Sequence, residues 1–248
     1  MARLPRLDCP GWPHLVVQRV IAGGNLLAHP DDGADFRLAL LEASREFGVA
    51  VHAYAVLGDH FHLLLTPPAA GDLGRFMQAV GRRFVARHNH RHARQGSLWA
   101  GRFRAAVIEP ARYLLDAMAF IESHAWRAGW VADPLQESPQ VLTSLGQHLN
   151  RRTDPVVTDH PLFWSLGNTP FDREAAWRDR LNQGVSATVV GALAQASAKG
   201  WALGSPEFLV ELERRGAPAG SGASVPRRLT PSRRGRPRKL PAPTQGSE

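Results

Sequence analysis

Three histidines, set at two distant points of the chain, are the residues best suited to chemistry. His60 and His62 stand in "GDHFHLLLTP" (Gly58–Pro67), one residue apart at the head of an apolar, strand-like run. In an extended strand, residues two apart point to the same side. The two imidazoles therefore project together, while Phe61, Leu63 and Leu65 project to the opposite face, towards a core. Two imidazoles side by side can share one divalent cation. The same spacing also describes two surface histidines on a half-exposed strand. The setting singles this pair out: apolar residues flank it, and a strongly basic segment follows. A third candidate ligand, His124, lies in "FIESHAWRAGW" (Phe120–Trp130). On a helix, positions i and i+4 share a face, so Phe120 and His124 would present side chains to one spot. The competing account of His124 is a helix-terminal histidine set against the C-terminal dipole.

Seven elements would have to position these rings. "HLVVQRVI" (His14–Ile21) reads as a strand ended by Gly23-Gly24. Asp32–Phe47 reads as an amphipathic helix with Phe36, Leu40, Leu41 and Phe47 on one side and Gly48 as its C-terminal cap. Val49–Leu57 and Phe61–Thr66 read as strands, with Gly58-Asp59 as the turn between them. Leu73–His88 is a second amphipathic helix, and Arg104–Glu109 a fourth strand. A third helix starts at Pro110, a residue suited to the first turn, and runs to about Ala128. The first six elements match a ferredoxin-like antiparallel sheet with helices on one face, an α+β fold. The compact domain is placed at residues 1–132. A mostly helical extension follows at 133–215, with helices at Asp172–Gln183, Ala187–Lys199 and Pro206–Arg215. A basic tail at 216–248, rich in Gly, Pro, Ser and Arg, reads as disordered.

Charge points to a polyanionic partner. The 248 residues carry a net +8, unevenly spread. The tail from Gly216 holds seven Arg/Lys against one acid, Glu248, and the stretch Arg75–Arg104 holds eight arginines and no acid. A GC-rich genome accounts for arginine over lysine but not for thirty residues without Asp or Glu. Nucleic acid is the simplest partner. Arg82, Arg83, Arg87 and Arg91 are the phosphate-contact candidates, and Trp99 or Phe103 offers a ring for an unpaired base. Phe84 and Phe103 also fit a core role. In the tail, "RRGRPRK" (Arg233–Lys239) is AT-hook-like, with Arg234 and Arg236 suited to a narrow minor groove. A solubilising basic tail is the plainer account. No apolar run approaches the ~20 residues of a membrane helix. The first twenty residues lack the apolar block of a secretion signal, and a single cysteine, Cys9, excludes an internal disulfide. A cytoplasmic setting is expected.

Taken in order, "HAYAVLGDHFHLLLTP", "LWAGRFRAAVIE" and "RYLLDAMAFIESHAWRAGWVADP" resemble the REP-associated tyrosine transposases, within the single-tyrosine HUH transposase superfamily. The resemblance covers most of residues 1–133 and continues loosely through "HPLFWSLG", "GSPEFLVELE" and "RGRPRK". It implies metal-assisted cleavage of single-stranded DNA and strand transfer at hairpin-forming ends, with single-stranded or hairpin DNA as partner. His60 and His62 match the metal-binding histidines. His124 matches the helix position of a further polar ligand, usually an amide. The implied cofactor is Mg²⁺ or Mn²⁺, and a third imidazole biases the site towards Zn²⁺. A tyrosine oxygen attacks the phosphate in that family, and its position is occupied here by Phe120, which has no oxygen. Tyr113, seven residues earlier on the same helix, is the substitute the chain offers. Two helical turns, ~10.5 Å, separate it from position 120. The alternative is a catalytically inactive, DNA-binding descendant. Three histidines on one ion also describe a hydrolytic centre, with Asp59 or Glu122 as the proton acceptors at hand. Monomer and homodimer both remain open.

Overall fold

The computed structural model describes residues 7–216. A five-stranded antiparallel sheet forms the middle layer, in the order β4-β1-β3-β2-β5. Its strands are β1 (His14–Arg19), β2 (Ala50–Val56), β3 (His60–Thr66), β4 (Arg104–Val107) and β5 (Leu142–Thr143). The first four, with α1 (Asp32–Phe47) and α2 (Asp72–Arg91), make the expected ferredoxin-like unit. The two-residue β5 extends the sheet beyond β2, pairing Leu142 with Val56 and Thr143 with Ala55.

Alternation along the strands divides the core in two. Phe61, Leu63 and Leu65 of β3 join Phe36 and Leu40 of α1 and Phe76, Val80 and Phe84 of α2 in one buried cluster. Leu64 points the other way, into a second cluster beneath α3 (Pro110–Glu122). Gly48 closes α1 with φ 63°, the left-handed cap a residue without Cβ takes at little cost. Expected and observed helices differ most at the end of α3. Ser123 interrupts it: its Oγ donates back to the Ala119 carbonyl at 2.6 Å, and a short α4 (His124–Arg127) follows. Such back-bonding bends a helix.

The second cluster is completed by the later part of the chain. After α5 (Leu145–His148) and α6 (Pro161–Trp164) come α7 (Pro170–Gln183), α8 (Ala187–Lys199) and α9 (Pro206–Gly216). Phe163, Trp177, Leu181 and Leu193 pack with Leu64 and with Leu114, Met118 and Ile121 of α3. Both faces of the sheet are thus covered: α1 and α2 on one side, α3 and the later helices on the other. The basic tail, with Arg234 and Arg236, lies outside the described residues. Among the described residues no helix is long and apolar enough to cross a membrane.

Candidate metal centre and basic cleft

Strand register sets the histidine pair. In the β1–β3 ladder Arg19 lies opposite His60 and Val17 opposite His62, and Val17 also faces Arg104 across β4. One row of the sheet therefore reads His62, Val17, Arg104, and its side chains share the α3 face. The bend at Ser123 brings His124 over β3. The ring centroids of His60 and His62 stand 5.0 Å apart, His60 and His124 5.3 Å, and His62 and His124 5.7 Å. One ring nitrogen from each of the three lies within 4.8 Å of the others. Residues 62 and 124 are more than sixty positions apart in the chain, and the fold brings them together.

The donor set suits a divalent cation. Nδ1 of His60 bonds the Asp59 carboxylate at 2.6 Å, leaving its Nε2 for a ligand. A carboxylate behind a ligating imidazole is the usual orienting arrangement. Nδ1 of His62 is buried and has no hydrogen-bond partner among the described residues. Burial first, then the neighbouring His60, His124, Arg127 and Arg19, holds His62 well below the ordinary imidazole range. Burial, then Arg127 and His60, brings His124 down to about 4, against an opposing pull from Asp59. Both rings are therefore neutral at pH 7 and carry the free lone pair that a metal requires.

Phe120 lies against the triad, as the shared helix face requires. It is buried, and its ring meets that of His62 edge-on at 5.7 Å. Arg127 stacks its guanidinium 4.0 Å above the Phe120 ring, donates to the Phe120 carbonyl at 2.6 Å, and comes within 3.2 Å of His124 Nδ1. The chain's two tyrosines lie elsewhere. Tyr54 is buried in the α1–α2 core and donates its hydroxyl to Asp154. Tyr113 packs against the cluster beneath α3. Neither lines the cleft around the triad.

That cleft encloses about 830 Å³. His60, His62, Phe120 and His124 form its floor, with Arg19, Arg102, Arg104 and Lys199 around them and no carboxylate in the lining. Ala194, Ser197, Ala198 and Lys199 of α8 form one wall, and Arg104 is held there by the Ala198 carbonyl. Arg102, Gly101 and Phe103 also border a second groove of about 730 Å³, lined by Arg82, Trp99, Phe61 and Met77. Trp99 thus has one face on the core and one on a groove.

The other arginines singled out in α2 face α1. Arg83 pairs with Glu42 and Glu46, Arg87 with Glu42 at 3.1 Å, and Arg91 with Asp32 at 2.6 Å and Asp35 at 2.5 Å. Their partners lie 37 to 59 residues upstream, so helical spacing alone gives no sign of them. Of the two proton acceptors considered, Asp59 stands behind His60, whereas Glu122 points away from the triad. It accepts from His148 Nδ1 at 2.5 Å, Ser144 Oγ at 2.5 Å and Trp177 Nε1 at 3.0 Å inside the buried cluster. Residues 122 and 124 are about 200° apart round a helix, which sends them to opposite sides. Sequence reasoning missed Arg127 and the α8 wall. The three-residue step from His124 was a legible sign of the first, but nothing local marks the second.

No protein-family model and no curated protein matches the chain. It has the fold of a REP-associated tyrosine transposase. A solved structure of that transposase bound to a REP hairpin aligns with a TM-score of 0.52 at 17% identity. The alignment covers 64% of this chain and 92% of the other. At such identity the likeness establishes the fold, and the chemistry rests on the residues of this chain.

Proposed function

We propose that this protein binds single-stranded or hairpin DNA in the basic cleft, next to a divalent metal held by His60, His62 and His124. The observation that carries the reading is the convergence of three imidazoles and four cationic side chains on one cleft without a carboxylate in its lining. The neighbour of the same fold, solved on a REP hairpin, supports a hairpin partner. Phosphates would be met by Arg19, Arg102, Arg104 and Lys199, and by Arg82 in the adjoining groove, where Trp99 offers a stacking surface. Residues 1–132 form the DNA-processing unit in this reading, and 133–215 supply the cleft wall through α8. Arg83, Arg87 and Arg91 would reach phosphate only by leaving their α1 partners.

The bound cation, Mg²⁺, Mn²⁺ or Zn²⁺, would supply charge withdrawal from a phosphate oxygen. Asp59 orients His60, and Arg127 adds a second positive charge beside the same spot. Phe120 supplies no nucleophilic oxygen. The protein therefore retains the positioning apparatus of strand cleavage and binds DNA without forming a phosphotyrosine bond.

The test uses labelled hairpin-bearing single strands with Mn²⁺. A retarded complex in a native gel, with no covalent adduct on a denaturing gel, is expected for the wild-type chain. Phe120→Tyr is expected to introduce the adduct. An adduct in wild type that disappears with Tyr113→Phe would favour the active reading, in which Tyr113 attacks. Failure of the hairpin to bind at low salt would end both.

A further inference from the structure

Outside the cleft, a second cluster of metal-binding side chains joins the start of α1 to the end of α2. We infer that Asp32, His88 and His92 form a separate transition-metal site, best suited to Zn²⁺, that fastens these two helix ends together. Ligand atoms of the three residues lie within 4.8 Å of one another. His88 and His92 are one helical turn apart, and their rings sit 4.3 Å centre to centre.

The hydrogen-bond pattern prepares each side chain for this role. His88 donates from Nε2 to the Asn25 carbonyl at 2.9 Å, which fixes its tautomer and leaves the Nδ1 lone pair free. That Nδ1 is buried and has no hydrogen-bond partner among the described residues, in a side chain only 2% exposed. A ligating imidazole with its second nitrogen anchored on a backbone carbonyl is the arrangement metal sites use. His92 Nε2 stands 2.9 Å from Asp32 Oδ2, an oxygen that also accepts the His29 amide at 2.8 Å. The other oxygen, Oδ1, is held by Arg91 at 2.6 Å. A metal on Oδ2 can thus enter without displacing the arginine; it replaces the His92–Asp32 hydrogen bond, whose proton leaves to solvent.

Size and charge are compatible. Zinc bonds of 2.0–2.2 Å place tetrahedral ligand atoms about 3.3 Å apart, so the cluster must contract by about 1.5 Å at most. Arg91 is held on Asp32 and Asp35, and Arg94 also acts on His88, so the surroundings are close to neutral and the ligand atoms themselves must supply the affinity. Two imidazoles and a carboxylate select Zn²⁺ over Mg²⁺. Water would fill the fourth position. The consequence lies next door. Ala93, immediately after His92, adopts φ 47°, and the chain then runs into the loop carrying Trp99, Arg102 and Phe103. The metal would anchor the root of the loop that borders both grooves.

The test is made on the full chain carrying His60→Gln and His62→Gln, which removes the cleft site from the count. After chelator treatment, Zn²⁺ is added and excess dialysed away, and bound metal is measured by mass spectrometry. One zinc per chain is expected, with a rise in Tm. Adding His88→Gln and His92→Gln is expected to remove both. Co²⁺ is expected to give a visible absorption band that disappears with His92→Gln alone, a milder change at a half-buried residue; circular dichroism confirms folding of that variant. No retained zinc, or zinc and absorbance unaffected by the substitutions at 88 and 92, would overturn the site while leaving the cleft reading untouched.

Discussion

Arg127 lays its guanidinium over the face of Phe120, 4.0 Å from the ring centre, while the edge of the same ring meets His62. A hydroxyl added to that ring would enter a cleft rich in cations. Phe120→Tyr is therefore expected to fold normally, with a change in stability under about 1.5 kcal/mol. Its phenol would be more acidic than usual beside Arg127. A covalent DNA adduct that appears with this single change, and is lost again with His62→Gln, is the expected result.

The pair opposite that stack, removing Arg127, separates positioning from folding. Arg127→Ala loses the cation–π contact, worth about 0.5–2 kcal/mol, the hydrogen bond to the Phe120 carbonyl, and a charge beside His124. Hairpin affinity is expected to fall by about tenfold, with urea unfolding shifted by no more than about 3 kcal/mol for the two contacts together. A loss of stability above about 3 kcal/mol would mean that Arg127 is chiefly structural.

His148 makes stability depend on pH in the alkaline range. Burial works against its charge, but Glu122 and Asp159 more than offset this and push it up to about 9. Because the folded value exceeds the ordinary 6.5, its contribution is full below pH 6.5 and is lost as pH rises through about 9. The difference corresponds to about 3 kcal/mol. His14 and His52, both lowered to about 4, have the opposite sign: they favour the folded state above pH 6.5 and cost stability as pH falls towards 4. They leave the window between pH 7.5 and 9 to His148, while Cys9, pushed up to about 11 by burial and Asp8, acts above it. Urea unfolding at pH 7.5 and at pH 9 is expected to show declining stability in the wild type. His148→Gln is expected to flatten that slope and cost about 3–5 kcal/mol at pH 7.5 by leaving Glu122 without its cationic partner.

The parts of this molecule legible in the sequence are those set by short-range periodicity. Period two put His60 and His62 on one face and Phe61, Leu63 and Leu65 on the other, and the apolar stripes of α1 and α2 marked the helices that cover the second set. The short elements β5, α5 and α6, of two to four residues, are too brief to show any period. Long-range electrostatics were equally hidden. Arg83 and Arg82 are neighbours in an acid-free run, yet one pairs with α1 and the other borders a groove. The cleft wall from α8 depends on how a distant helix docks, which no local pattern encodes.

That contrast between adjacent arginines gives a direct comparison. Arg82→Ala and Arg102→Ala are each expected to weaken hairpin binding and to reduce the salt slope of log K by about 1. Arg83→Ala is expected to leave the slope unchanged and to cost at most about 1 kcal/mol of stability, as for a partly exposed ion pair. Binding isotherms at four salt concentrations, paired with thermal melts, measure both quantities. Equal slopes for the Arg82 and Arg83 variants would show that the α1 pairs open when DNA arrives.

The α8 wall is tested by reversing its electrostatics without touching the core. Ala194 is exposed on α8 and faces the cleft alongside Lys199, while Leu193 next to it is buried. Ala194→Glu places a carboxylate in a lining that otherwise has none. A glutamate is tolerated on an exposed helix position, so stability should move by no more than about 0.5 kcal/mol. Hairpin affinity is expected to drop about tenfold, the equivalent of ~1.4 kcal/mol, and Ala194→Gln should have little effect, since it adds the same bulk without charge. If both substitutions leave affinity unchanged, DNA does not pass along α8 and the later helices serve only to cover the sheet.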